Sequence, residues 1–395
     1  MSDLKASSRR ILAAYRGQKA DRIPMISPIS WHPMRDIDAE KPGSWRADAG
    51  FIEVARLVQQ HCDPQPPYSP VPMPKVFSTA VSYQRFLEAN DEFIEHRPVE
   101  QVTDIRSRET TILHTPKGDL TYVLERDKDI ETWWDVVKPI GCPEDVEKML
   151  SVPYHFQPPA AGQFDAFRKY RAESGPDCIG GGWLNSMVAM LCGMISFQLL
   201  LEWVLAEPTL VKLLADEWLR RTGEKVKYMQ EQGVGPFWHF NGVERASPPM
   251  MGPRQWETLV TPYDGEIMRQ IKARDPEAII HVHCHGRVGT LLDSFLAMGV
   301  NSTDPVEPPN QGDIEFAAAK AKVAGRMTLY GNMEFVDMER CTPAEIEQKV
   351  RSAIEEGGKE HTILFPSATP HERASAKFLA NAKAYITAGL KYGKL

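Results

Sequence analysis

The stretch Ala278-Ile279-Ile280-His281-Val282-His283-Cys284-His285-Gly286 decides how the rest of this 395-residue chain is read. Three apolar residues lead into it, as in a short buried strand, and Arg287 to Leu296 behind it has helical spacing. Side chains alternate along a strand, so His281, His283 and His285 share one face and Cys284 takes the other if the strand runs that far. Three imidazoles climbing one face towards a strand end point to metal binding or proton handling.

Outward from this stretch the pattern repeats. Upstream, Cys178 to Trp183 reads as a strand ending in glycines, followed by helices over 186–205 and 208–232, a strand from Val234 to Phe240 and a helix from Pro253 to Ala273. Downstream come a helix to about 298, a strand from Val300 to Thr303 ending at Asp304, and a helix from Asp313 to Lys322. A strand from Met327 to Tyr330, a helix from Pro343 to Glu356, a strand from Thr362 to Phe365 and a helix over 371–392 complete the series. The chain opens with a helix over 4–17, a strand over 21–29 and a helix over 49–62; the proline-rich 63–75 is an irregular connection. Residues 92–140 break the rhythm. Thr110 to Thr115 and Leu120 to Leu124 flank a tight turn, and Trp133 to Val137 reads as another strand. Strands alternating with helices imply a parallel sheet. About eight of them over this length predict an α/β protein, a single (β/α)8 TIM barrel over 1–395 with an N-terminal β-rich insertion at 92–140. A doubly wound open sheet is the alternative, and its Gly-x-Gly-x-x-Gly fingerprint is absent.

A formal charge of −7 and the lack of a basic run argue against a nucleic-acid partner. The longest apolar run, Met187 to Leu205, is interrupted by Gly193, Gln198 and Glu202, so no membrane span is expected. The opening residues lack a signal-peptide core, and the six cysteines form no Cys-x-x-Cys pair, which together predict a cytoplasmic protein with reduced thiols.

Active sites of such barrels lie at the carboxyl ends of the strands. The predicted ends carry Trp31, His32 and Arg35; Trp183 and Asn185; His239, Asn241 and Glu244; His283 and His285; Asp304 and Glu307; Asn332 and Glu334; and Ser367. Each has two readings. His283 and His285 are metal ligands or hydrogen-bonded pocket histidines, and His281, lying deeper, is a satisfied core histidine. Cys284 packs outward as a small apolar residue. Glu244 is a site carboxylate or a partner of Arg245, and Asp304 and Glu307 are catalytic or shape a turn beside prolines. Trp31, His32, Arg35, Trp183, His239 and Asn332 are expected substrate contacts, or in the first loop and at Gly331-Asn332 ordinary packing and turn residues.

Several motifs in one order resemble the uroporphyrinogen decarboxylase superfamily. They are Asp21-Arg22-Ile23-Pro24, Thr115-Pro116-Lys117-Gly118, Pro253 to Tyr263, the His-x-His-Gly of residues 283–286, Gly331-Asn332-Met333-Glu334 and Thr369-Pro370. The resemblance implies a (β/α)8 barrel and one of two activities: metal-free decarboxylation of a tetrapyrrole, or zinc-dependent methyl transfer between a corrinoid and an acceptor. The decarboxylases resemble one another in an arginine-rich first loop, of which Trp31-His32-Pro33-Met34-Arg35-Asp36 keeps an echo without a second arginine. The methyltransferase-like branch is similar in its His-x-Cys-Gly strand end, where this chain has His285 for the cysteine, and in a second cysteine, whose place Ser367 takes. The resemblance thus implies a metal-dependent methyltransferase: zinc on His283, His285 and Glu244 or Glu307; Glu244, Asp304 and Glu307 handling protons or ligating; and a small-molecule substrate. The corrinoid would be free or on a partner protein, since no Asp-x-His-x-x-Gly motif is present. A carboxy-lyase is the alternative, and a homodimer is expected as for many barrels.

Overall fold

A computed structural model describes residues 4–38, 40, 43–77, 84–128, 130 and 132–394. Its organising element is a six-stranded parallel sheet. The strands are β6 (Gly181–Asn185), β7 (Phe237–Asn241), β8 (Ile279–His283), β9 (Ser302–Val306), β10 (Thr328–Met333) and β11 (Thr362–Pro366), paired in chain order and joined by helices. β9 and β11 are buried at every position, as expected of strands covered on both faces. β1 (Ile94–His96), β2 (Glu100–Gln101), β3 (Arg106–Leu113), β4 (Leu120–Asp127) and β5 (Trp134–Val137) make a separate antiparallel sheet, ordered β1-β3-β4-β5 with β2 beside β3. Cross-strand pairs such as Arg106–Asp127 at 2.6 Å lace β3 to β4. On the outer strand β5, Trp134, Val136 and Val137 stay largely exposed.

The chain is α/β, as expected, with local departures. Residues 21–29 form no regular strand; Met25 makes one parallel bridge to Leu364 of β11. The amide of Asp63 then bonds the carbonyl of Met25, and that of Tyr68 the carbonyl of Ile179, just before β6. Asp63, fully buried, ties this junction together: it pairs with Arg10, accepts from Arg22 Nη1 at 2.8 Å and from the Met25 amide at 3.0 Å. The helix read over 186–205 is two, Met187–Met194 and Phe197–Ala206, because Ser196 caps the second by accepting from the Leu199 amide. The helix read over 253–273 is also two, Pro253–Leu259 and Asp264–Arg274. Pro262 lies in the gap, where it cannot supply a helical N–H.

Strand register sets the site. Gly181 sits so close to β7 that an added Cβ would meet the Phe237 carbonyl oxygen at 1.7 Å. The resulting alignment places Trp183 beside His239, His239 beside His281, and His281 beside Ser302. One row higher, His283 stands beside Asp304.

Candidate functional site

β8 ends at His283, so only His281 and His283 follow strict strand alternation; His285 lies beyond it. Cys284 points away into the core and is fully buried. Asp304, with no exposed surface, collects three donors. Oδ1 accepts from His281 Nε2 at 2.8 Å and from His283 Nδ1 at 2.9 Å, while Oδ2 accepts from Gln65 Nε2 at 2.8 Å. Glu307 plays the same part for His285: it accepts from Nδ1 at 2.9 Å and from the Gly286 amide at 2.6 Å. Gly286 has φ +85, a left-handed turn that suits glycine and turns its N–H onto the carboxylate. Both imidazoles therefore give their Nδ1 side to a carboxylate, and neither Nε2 makes a hydrogen bond to a described residue. The rings are 4.7 Å apart and nearly perpendicular.

Charge follows this geometry. Burial works against a charge on His283, but the adjacent Asp304, with Glu244 and Glu307, raises its pKa to about 8. Burial opposes the charge of Asp304 too, and the two histidines outweigh it, holding the carboxyl well below its usual range. Glu334 is raised to about 7 by burial and the charge of Glu307. Ser367 Oγ accepts from the Phe335 amide at 2.9 Å and donates to Glu334 at 3.3 Å.

His283 and His285 line a cavity of about 400 Å³ with Ile26, Trp31, His32, Gln65, Phe365 and Ser367, and no lysine or arginine is among the described residues that line it. His32 stacks on Tyr68 at 4.3 Å, accepts from the Met34 amide through Nδ1, and is kept neutral by burial, which lowers it to about 4. Arg35 lies outside the lining: it packs over Trp31 at 4.4 Å and pairs with Glu40. A second cavity of about 480 Å³ lies on the other side of His285, bounded by Phe197, Glu244, Arg245 and Glu307. Residues 134–371 match the family described as uroporphyrinogen decarboxylase (URO-D), well over half the chain.

The chain belongs to the URO-D family.

Across 98% of both chains this URO-D protein also superposes on a methyltransferase from Methanosarcina mazei, with a TM-score of 0.58 and 16% identity, a likeness of fold. A B12-independent methionine synthase from Shewanella sp. W3-18-1 covers 76% of each chain at 10% identity, and its TM-score of 0.38 is too low to carry an argument. No curated protein matches the sequence significantly.

Of the strand-end residues, the URO-D fold brings His283, His285, Asp304 and Glu307 into contact and sets Trp31 and His32 on the same cavity. Trp183 is 48% exposed and stacks on His239 at 3.9 Å. His239 is buried beneath it, bonded to Asn241, and burial pushes its pKa far down. Asn332 and Trp183 do not line the cavity. The expected metal group of His283, His285 and Glu244 is not gathered: among the described residues no three His, Cys, Asp or Glu side chains are placed to hold an ion. The reason is local: Glu244 faces the second cavity, which His283 does not line, and among the described residues its buried Oε2 has no hydrogen-bond partner. Gln65 and Tyr68 were not foreseen; both come from the proline-rich connection, which has no periodicity to read. No helix of the described residues is long and apolar enough to cross a membrane.

Proposed function

We propose that this URO-D chain is a methyltransferase moving a methyl group between a small methylated substrate and a corrinoid, free or carried by a separate protein. One observation carries the reading: two imidazoles, each anchored through Nδ1 by a carboxylate, offer free Nε2 edges to a cavity with no lysine or arginine among the described residues that line it. A tetrapyrrole bearing many carboxylates needs several cationic partners, whereas a small neutral methyl compound needs none. The whole-length likeness to a methyltransferase fold agrees with this. We read residues 24–26 and 63–68 as the two segments that complete a (β/α)8 barrel between β11 and β6, with 92–140 as an insertion.

His283 is the proton donor. Below pH ~8 its Nε2 carries a hydrogen at the cavity while Asp304 holds Nδ1. As the bond from the methyl carbon to the substrate heteroatom breaks, the methyl passes to the acceptor, the bonding pair stays on the heteroatom, and His283 protonates it. Glu307 orients His285, and Trp31 with His32 bounds the substrate. The donor set suits zinc in kind: two imidazoles with carboxylates behind them and an orphaned Glu244 oxygen nearby. Zinc would be held by His283 and His285 with Glu244, and would activate an acceptor as a Lewis acid. As placed, the three are not close enough, so no step above depends on it.

The test is demethylation of methylcobalamin, the reverse half-reaction, followed by its absorbance with thiols and phenols as acceptors, alongside elemental analysis. Wild type should turn over, and His283→Gln and His285→Gln should each lose at least ~100-fold. Equal rates in all three would reject the assignment. A carboxy-lyase is the second reading, favoured by the raised pKa of His283 and of Glu334, which keep a proton on each group for delivery to a carbanion. It predicts carbon dioxide release that responds to His283→Gln with no cobalamin chemistry.

A further inference from the structure

Behind His283 runs a line of polar groups that the proposed chemistry does not use. Tyr330 Oη lies 3.0 Å from Tyr15 Oη, which lies 2.6 Å from Ser302 Oγ. Ser302 Oγ is 2.7 Å from His281 Nδ1, and His281 Nε2 is 2.8 Å from Asp304. Ser302, His281, Tyr330 and Asp304 are all essentially sealed from solvent. Tyr15 ends the helix Leu4–Tyr15, so the line reaches from the N-terminal helix to the reacting imidazole.

The direction of every bond follows from counting hydrogens. Asp304 already meets three N–H groups, two on Oδ1 and one on Oδ2, so it carries no proton of its own into these contacts. His281 must then donate from Nε2. If its Nδ1 accepts, the Ser302 hydroxyl is the donor. Ser302 has spent its hydrogen, so its oxygen accepts from Tyr15, whose oxygen in turn accepts from Tyr330. In this sense every hydrogen finds an acceptor. Reversed, the line would start from a second buried imidazolium and end at Tyr330, whose hydroxyl hydrogen would meet no acceptor among the described residues. Buried donors without acceptors are strongly disfavoured.

We infer that Tyr330, Tyr15, Ser302 and His281 form a one-way hydrogen-bonded line that fixes how Asp304 presents itself to His283, making Ser302 and Tyr15 positioning residues for the reaction. Asp304 Oδ1 takes one hydrogen from His281 Nε2 and one from His283 Nδ1, so the ring that Ser302 holds from behind sets the carboxylate against which His283 is oriented. Its bearing on turnover rests on His283 being the reacting group, but the line itself does not.

Nitrogen-15 histidine labelling with long-range proton–nitrogen correlation reads each ring directly, with His281→Gln and His283→Gln giving the assignments. In the full-length protein His281 should carry its hydrogen on Nε2, and His283, once titrated to its neutral form above pH ~9, should keep its hydrogen on Nδ1. Ser302→Ala should move the His281 Nδ1 resonance and mix its tautomers, Ser302→Thr should restore both, and Tyr15→Phe should move the same resonance with the fold intact. Ser302→Ala should lower turnover about 10- to 100-fold. A hydrogen on His281 Nδ1 in the wild type, or a resonance unmoved by Tyr15→Phe and Ser302→Ala, would overturn the inference. If the signals behave as expected while His283→Gln leaves turnover untouched, the line stands and the assignment of His283 falls.

Discussion

At the scale of single residues, the ion pair of His283 and Asp304 makes a statement about pH. The folded-state pKa of His283 is raised to about 8 from an ordinary 6.5, so its contribution to stability is complete below pH 6.5 and is lost as pH climbs through 8. A shift of that size corresponds to ~2 kcal/mol. The stability difference between wild type and His283→Gln, measured by urea unfolding, should therefore shrink between pH 6 and pH 9; a constant difference would refute the pairing. His283, His285, Asp304 and Glu307 were legible because His-x-His at a strand end and carboxylates one strand on leave a pattern in the sequence. Their orientation was not. Which nitrogen each ring gives to a carboxylate has no periodic signature, and the loop after β7 that sets Glu244 on the other cavity has none either, so the expected three-ligand group was not gathered.

Elements were legible where apolar periodicity is strong, as along β7 to β11, and misread where one polar residue divides a continuous apolar run. Ser196 is such a residue, since its side chain starts a new helix inside a stretch that reads as one. The second divided helix carries its own test. Asp264, at the start of Asp264–Arg274, accepts from the Met187 amide at 3.2 Å while its other oxygen is buried with no hydrogen-bond partner among the described residues. Burial raises its pKa to about 8. An acid with a raised folded-state pKa costs stability as pH rises from its ordinary range near 4 towards 8. Asp264→Asn keeps the acceptor and removes the ionisable group, so its melting temperature should exceed wild type at pH 8 and converge with it near pH 4. A parallel offset at both values would show that charge is not the cause.

For the molecule as a whole, the six paired strands and the junction around Met25, Asp63 and Tyr68 are held very differently. β7 to β10 have neighbours on both sides, whereas the junction rests on a few amide bonds and the charges gathered on Asp63. Local opening follows such differences. Hydrogen exchange should therefore release the amides of Ile26, Asp63 and Tyr68 well before those of Phe240, Val282 and Thr303; equal protection would show that the junction is as firm as the sheet. Proline-rich connections and single bridges of this kind leave no repeating signature, so the sequence could place the junction but not describe it.

The weakly held stretch is also a wall of the chamber: Ile26, Asp63 and Gln65 belong to both. Opening there, ahead of the sheet, would uncover His283 and His285 while the strands that carry them stay paired. The rate at which guests come and go should then answer to Arg10 and Arg22, which latch Asp63 into that wall without themselves lining the chamber.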